Sequence, residues 1–138
     1  MKPFLPLALV LVAGCSSGTE AERSTKAWSQ VSEGETIEFG GTEPFWGGQV
    51  TGTRLTYTTP ENIDGTTITV ERFAGNSGAS FSGSLDGRAF DLMITRGQCS
   101  DGMSDRIYPL NATLKLGEEV RAGCAHSESL PFEGPGQP

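Results

Sequence analysis

Four side chains stand out as chemically reactive: the thiols of Cys15, Cys99 and Cys124, and the imidazole of His126, the only histidine. Thiols can be acylated, pair as disulfides or bind soft metals, and an imidazole moves protons or ligates metal. No Gly-x-Ser-x-Gly elbow accompanies His126, so a Ser-His-Asp hydrolase has no local support. His126 is expected as a surface residue beside Cys124. Two cysteines and a histidine at this spacing make poor geometry for a closed metal site. Met93, Met103 and His126 are too scattered to read as a Cu(I) site. Seventeen acids guarantee chance carboxylate pairs, so a glycosidase pair is not implied either. No glycine loop of the phosphate-cradling kind precedes a helix. No catalytic residue, metal or cofactor is therefore assigned.

Two polar segments have the residue types of a recognition surface. Gly41-Thr42-Glu43-Pro44-Phe45-Trp46 sets a carboxylate and two aromatics around a proline, which restricts the backbone of Glu43 and fixes the angle of entry into a strand. Phe45 and Trp46 then point to opposite faces, one to the core and one to a surface platform, unless both are buried. Ser100-Asp101-Gly102-Met103-Ser104-Asp105-Arg106 is polar except for Met103. Met103 takes the third position of any calcium loop, where a ligand is needed. Its serines and aspartates suit turn amides, and Asp105 can pair with Arg106 or Arg96. Glu43, Phe45, Trp46, Asp101, Asp105, Arg106 and Tyr108 are the candidate binding residues. Both segments are expected at strand ends, within about 10 Å of each other on one face that suits a polar partner.

Cys15 has a separate chemistry. Met1-Lys2-Pro3 is a short basic start, and Phe4 to Ala13 is apolar apart from Pro6. About ten apolar residues are too few to span a ~30 Å hydrocarbon core as a helix, and they read as a secretory signal. The run ends in Leu11-Val12-Ala13-Gly14-Cys15, which resembles the bacterial lipobox. The resemblance implies cleavage before Cys15 and acylation there, with palmitate among the chains. Two or three chains, at ~0.8 kcal/mol per buried CH₂, make a lasting anchor. Ser16, with no aspartate after the cysteine, resembles the default outer-membrane signal. The expected location is the cell envelope, lipid-anchored at the outer membrane and facing the periplasm.

The elements that must carry these residues follow from composition and period. The chain of 138 residues has room for one domain, and 19 glycines and 8 prolines favour turns and short strands over long helices. Residues 1–14 are the expected signal and 15–34 a flexible tether from the acylated cysteine, with Trp28 able to fold back. Residues 35–130 are a single all-β domain, and 131–138 a disordered tail. Within the domain, alternating runs recur at 36–39, 45–51, 54–59, 66–73, 79–85, 88–95, 107–116 and 120–125. Asp86-Gly87 is the pair that prefers a type I′ hairpin turn. The pattern predicts an antiparallel meander of seven or eight strands closing into a small barrel or sandwich. The net charge of −7 lacks the basic face that phosphate binding needs, which excludes a nucleic-acid partner.

With Cys15 acylated, Cys99 and Cys124 are the spare thiols of an exported chain, and such a pair is expected to oxidise. Closing a loop of roughly 26 residues contributes about 3.5 kcal/mol in the chain-entropy picture.

Gly41-Thr42-Glu43-Pro44-Phe45-Trp46, Cys99-Ser100-Asp101-Gly102-Met103-Ser104-Asp105-Arg106-Ile107-Tyr108-Pro109 and Gly123-Cys124-Ala125, in that order, resemble a group of small proteobacterial lipoproteins and "predicted membrane proteins". Members of that group sometimes occur beside META-type (HslJ-like) domains. The resemblance spans roughly Phe39 to Ala125. It implies a single all-β domain and the Cys99–Cys124 bridge, and it brings no activity with it. The expectation is a non-catalytic lipoprotein whose β-domain binds an envelope protein or glycan. The alternatives are an inhibitor of a basic protein such as lysozyme, which an acidic domain suits electrostatically, and a small hydrolase.

Overall fold

Tight turns set the topology. Asp86 and Gly87 both take positive φ, 50° and 78°, as a type I′ turn requires, and Leu85 pairs with Arg88 across them. Equally short links at Gly52-Thr53 and Gly117-Glu118 join Thr51 to Arg54 and Leu116 to Glu119. The computed structural model describes residues 28–135, together with Pro3. Among the described residues there are nine strands and no helix: β1 (Thr36–Gly41), β2 (Trp46–Thr51), β3 (Arg54–Thr59), β4 (Asn62–Thr69), β5 (Glu71–Ala74), β6 (Gly78–Leu85), β7 (Arg88–Cys99), β8 (Tyr108–Leu116) and β9 (Glu119–Ser127). They form one antiparallel sheet in the order β4-β3-β2-β1-β9-β8-β7-β6-β5, curled strongly into a half-barrel.

The count of nine, against an expected seven or eight, comes from a break inside one predicted strand. Residues 66–73 alternate as expected, but β4 pairs with β3 and β5 with β6. Val70 lies between them, buried, and donates its amide to the Thr53 carbonyl at 2.8 Å. Periodicity registers which face a residue takes, not which neighbour its strand pairs with, so the two halves looked like one element.

The concave face holds the core. Phe81, Phe90, Leu92, Ile94, Leu110 and Leu114 are fully buried there, each two residues along its strand from the next inward position. Arg72 is opposite core residue Phe81, and Arg121 opposite core residue Leu114, so these two arginines also take inward register positions. Each finds an oxygen. Arg72 donates to the Val31 carbonyl at 2.9 Å, and Arg121 to the Tyr57 hydroxyl at 2.6 Å.

Both ends of the domain lie beyond the expected 35–130. Trp28 and Val31, expected in a flexible tether, are buried in the core, and the Trp28 amide donates to the Gly75 carbonyl at 2.6 Å. Burying the large apolar surface of an indole outweighs the entropy of ordering a short polar stretch beside it. At the other terminus, residues 131–135, expected in a disordered tail, double back. Glu133 and Ile107 exchange two backbone hydrogen bonds of 2.8 and 2.9 Å. Residues 15–27 of the expected tether, 136–138 of the expected tail and the signal apart from Pro3 lie outside the described residues.

Candidate functional site

Two glycines shape the outer face of β1 and β2. Phe39 and Trp46 point inward, both buried, with ring centroids 5.9 Å apart. Alternation therefore turns Gly40 and Gly47 outward, and these two pair directly across the strands. With no side chain at either position, the outer surface sinks to bare backbone. Beside this pair, Gly40 and Gly41 of β1 and Gly48 of β2 line a groove of about 550 Å³, while Gly47 lines a smaller neighbouring hollow. The walls of the groove carry Glu38, Gln49, Thr56, Thr58 and Asp64 on the β1–β4 side, and Asp101, Tyr108 and His126 on the other.

Cys99 and Cys124 are joined, with Cα atoms 5.6 Å apart, and the bridge links β7 to β9, which are not neighbours in the sheet. The pairing of β7 with β8 shifts between Arg96 and Cys99, which lets the strand end reach β9. The loop that follows is thereby tied to the groove. Thr42 Oγ1 donates to the Asp101 carbonyl at 3.3 Å, joining the two segments singled out in the sequence.

The Asp101 side chain organises its own loop. It accepts from the Met103 amide (2.9 Å), the Ser104 amide (2.8 Å) and the Ser104 hydroxyl (2.8 Å). These bonds, the Met103 amide first, hold its carboxyl below the ordinary aspartate range.

On the same wall as Asp101, His126 Nε2 lies 3.2 Å from the Glu38 carboxylate, the two residues being paired across β1 and β9. Burial pushes the imidazole below its usual pKa; Glu38 pulls it up, and Arg106 adds to the depression. The ring packs against Tyr108 and Phe132, with centroids 5.7 and 5.1 Å away. None of the described hydrogen bonds joins His126 to a serine or threonine hydroxyl.

No family model, curated protein or solved structure matches this chain.

Of the residues offered from the sequence, Trp46, Asp101 and Tyr108 line the groove. Trp46 does so from the core side. Its indole packs against Gly41, where any Cβ would run into Trp46 Nε1 and the Ala122 carbonyl. Trp46 is the inward member of the aromatic pair, and Phe45, 52% exposed, is the outward one. Phe45 lines a separate hollow of about 260 Å³ with Pro60 and Ile63. Glu43 is exposed, with φ of 59°. Asp105 is exposed and makes none of the described ion pairs, so its expected pairing with Arg106 or Arg96 is not formed. Arg106 instead covers the Phe132 ring at 4.3 Å and donates to the Pro135 carbonyl at 3.0 Å.

Glu38, Gln49, Thr56, Thr58, Asp64 and His126 were missed as groove residues. One signal for them was present: glycine pairs at 40–41 and 47–48, each following a large aromatic. Only the strand register sets them opposite one another.

Proposed function

We propose that this protein is a lipid-anchored envelope protein whose β-domain is a non-catalytic binding module. Its partner is a polar envelope component, protein or glycan, held in the groove lined by Gly40, Gly41 and Gly48. The observation that carries this is a 550 Å³ concavity with a backbone floor and polar walls on a rigid, disulfide-tied sheet. Such a surface offers hydrogen-bond acceptors and donors at fixed positions beside the apolar surface of Phe39, Trp46 and Tyr108, a mixture that suits a ligand carrying polar groups. β4 and β5, the two edges of the half-barrel sheet, follow one another in the chain through the single residue Val70 and pair with β3 and β6, not with each other.

The test is affinity capture from the protein's own envelope with wild type and with Gln49→Arg, which fills the groove from an exposed position. The wild type should retain a partner that the variant loses. Equal retention would place binding elsewhere.

An inhibitor of a basic protein is favoured by one further feature. Glu38, Asp64 and Asp101 stand in the walls, His126 is the lone basic side chain among the described residues that line them, and the chain carries −7 overall. Acidic complementarity of that kind speeds encounter with a basic partner. A lysozyme-inhibition assay separates this from the first reading.

A further inference from the structure

The C-terminal residues 131–135 behave as a ligand of the domain that carries them. The Phe132 ring occupies a slot made by three side chains: Tyr108 at 5.5 Å, His126 edge-on at 5.1 Å, and the Arg106 guanidinium at 4.3 Å over its face. Beside the slot, Ile107 and Glu133 exchange their amide and carbonyl bonds, as two antiparallel strands do. The only other polar contact described for these five residues is Arg106 Nε to the Pro135 carbonyl. Pro131, Glu133, Gly134 and Pro135 are all exposed. The hold is thus one aromatic ring plus generic backbone pairing.

The slot is braced by the sheet and the disulfide, whereas the segment is held by few bonds. Tyr108 begins β8 and pairs with Cys99, and His126 is in β9 two residues past Cys124, so the disulfide braces both walls. The segment is bracketed by Pro131 and Pro135, which have no N–H to donate, and so it cannot extend its single bridge into a ladder. A chain without those prolines, placing an aromatic in the same slot, would make the same contacts and add backbone bonds to them.

We infer that the Arg106–Tyr108–His126 surface is a docking site for an extended segment of a partner protein that presents an aromatic side chain, and that residues 131–135 occupy it as a displaceable stand-in. The inference rests on reading this outer face as a binding surface, and it names the partner class for the His126 end of the groove. Strand addition of this kind draws affinity from the main chain and specificity from a side-chain pocket. The tethered segment competes at an effective concentration in the millimolar range, so an outside segment must bind better than it does.

The probe is a labelled synthetic peptide with the sequence of residues 128–138, followed by fluorescence anisotropy against the full chain. Phe132→Ala should bind it at least about tenfold more tightly than wild type, because the competing ring is gone. Binding should disappear when Tyr108→Ala is added, or when the peptide carries alanine in place of phenylalanine. Glu133→Pro, which removes the amide donated to Ile107, opens the site by a second route and should give the same gain if Phe132→Ala folds poorly. In envelope extracts, Phe132→Ala should capture more of a protein partner than wild type does, and excess peptide should release it. Equal peptide binding by wild type and both variants, indifference to the peptide's aromatic, or capture unaffected by the peptide would overturn the inference. If Gln49→Arg still abolishes capture of an envelope partner in that case, the groove reading survives.

Discussion

Replacing Trp28 with alanine tests whether the folded unit reaches back past residue 35. Trp28 is 5% exposed, belongs to the core cluster with Val31, and donates its amide to Gly75. Alanine keeps the backbone bond and deletes the buried indole. Truncating a buried tryptophan costs about 3–5 kcal/mol, from lost transfer free energy plus the cavity left behind. Unfolding entropy near 2.1 cal/mol/K per residue, over roughly a hundred residues, makes that a fall of about 13–22 °C in Tm. Urea unfolding read by far-UV circular dichroism measures it directly. The midpoint should drop while the slope stays constant, the sign of lost stability with an unchanged folded state. Trp28→Phe should recover a large part of the loss. A loss under about 1 kcal/mol, the usual size for a surface substitution, would refute the reasoning and return residues 28–34 to a tether.

Acid should weaken the fold in two separate windows. His126 has a folded pKa depressed below 6.5, so its contribution is present above that pH and is lost as pH falls through the lower folded value; His126→Gln should flatten the melting temperature across that range. Glu35 and Asp101, whose pKa values are lowered from 4.5 and 3.8 chiefly by hydrogen bonds from the Ser129 and Met103 amides, act only at more acid pH, and Asp101→Asn should alter that lower window alone. Alkylation and mass spectrometry should find Cys99 and Cys124 blocked in the folded protein, and reduction should remove about 3.5 kcal/mol, the loop entropy for their separation of 25 residues. Radiolabelled palmitate should enter the wild type and not Cys15→Ser; label in the variant would disprove the anchor.

Local period and turn chemistry were enough to place most of the strands and the Asp86-Gly87 hairpin. Both act over a few residues: a half-buried strand must alternate, and a two-residue turn must accept positive φ. The Cys99–Cys124 pair was legible for a different reason, since two spare thiols leave little choice of partner. Tertiary structure alone decided the rest. Nothing around Val70 says that β4 and β5 pair with strands on opposite sides of the molecule, because register belongs to the pair and not to the strand. Trp28 and Phe132 sit in polar, turn-rich surroundings, and the burial of the first and the packing of the second depend on slots built by residues distant in the chain. The groove lined by Gly40, Gly41 and Gly48 has the same origin. Each glycine is unremarkable in its own strand, and cross-strand pairing is what gathers those of β1 and β2 into one hollow.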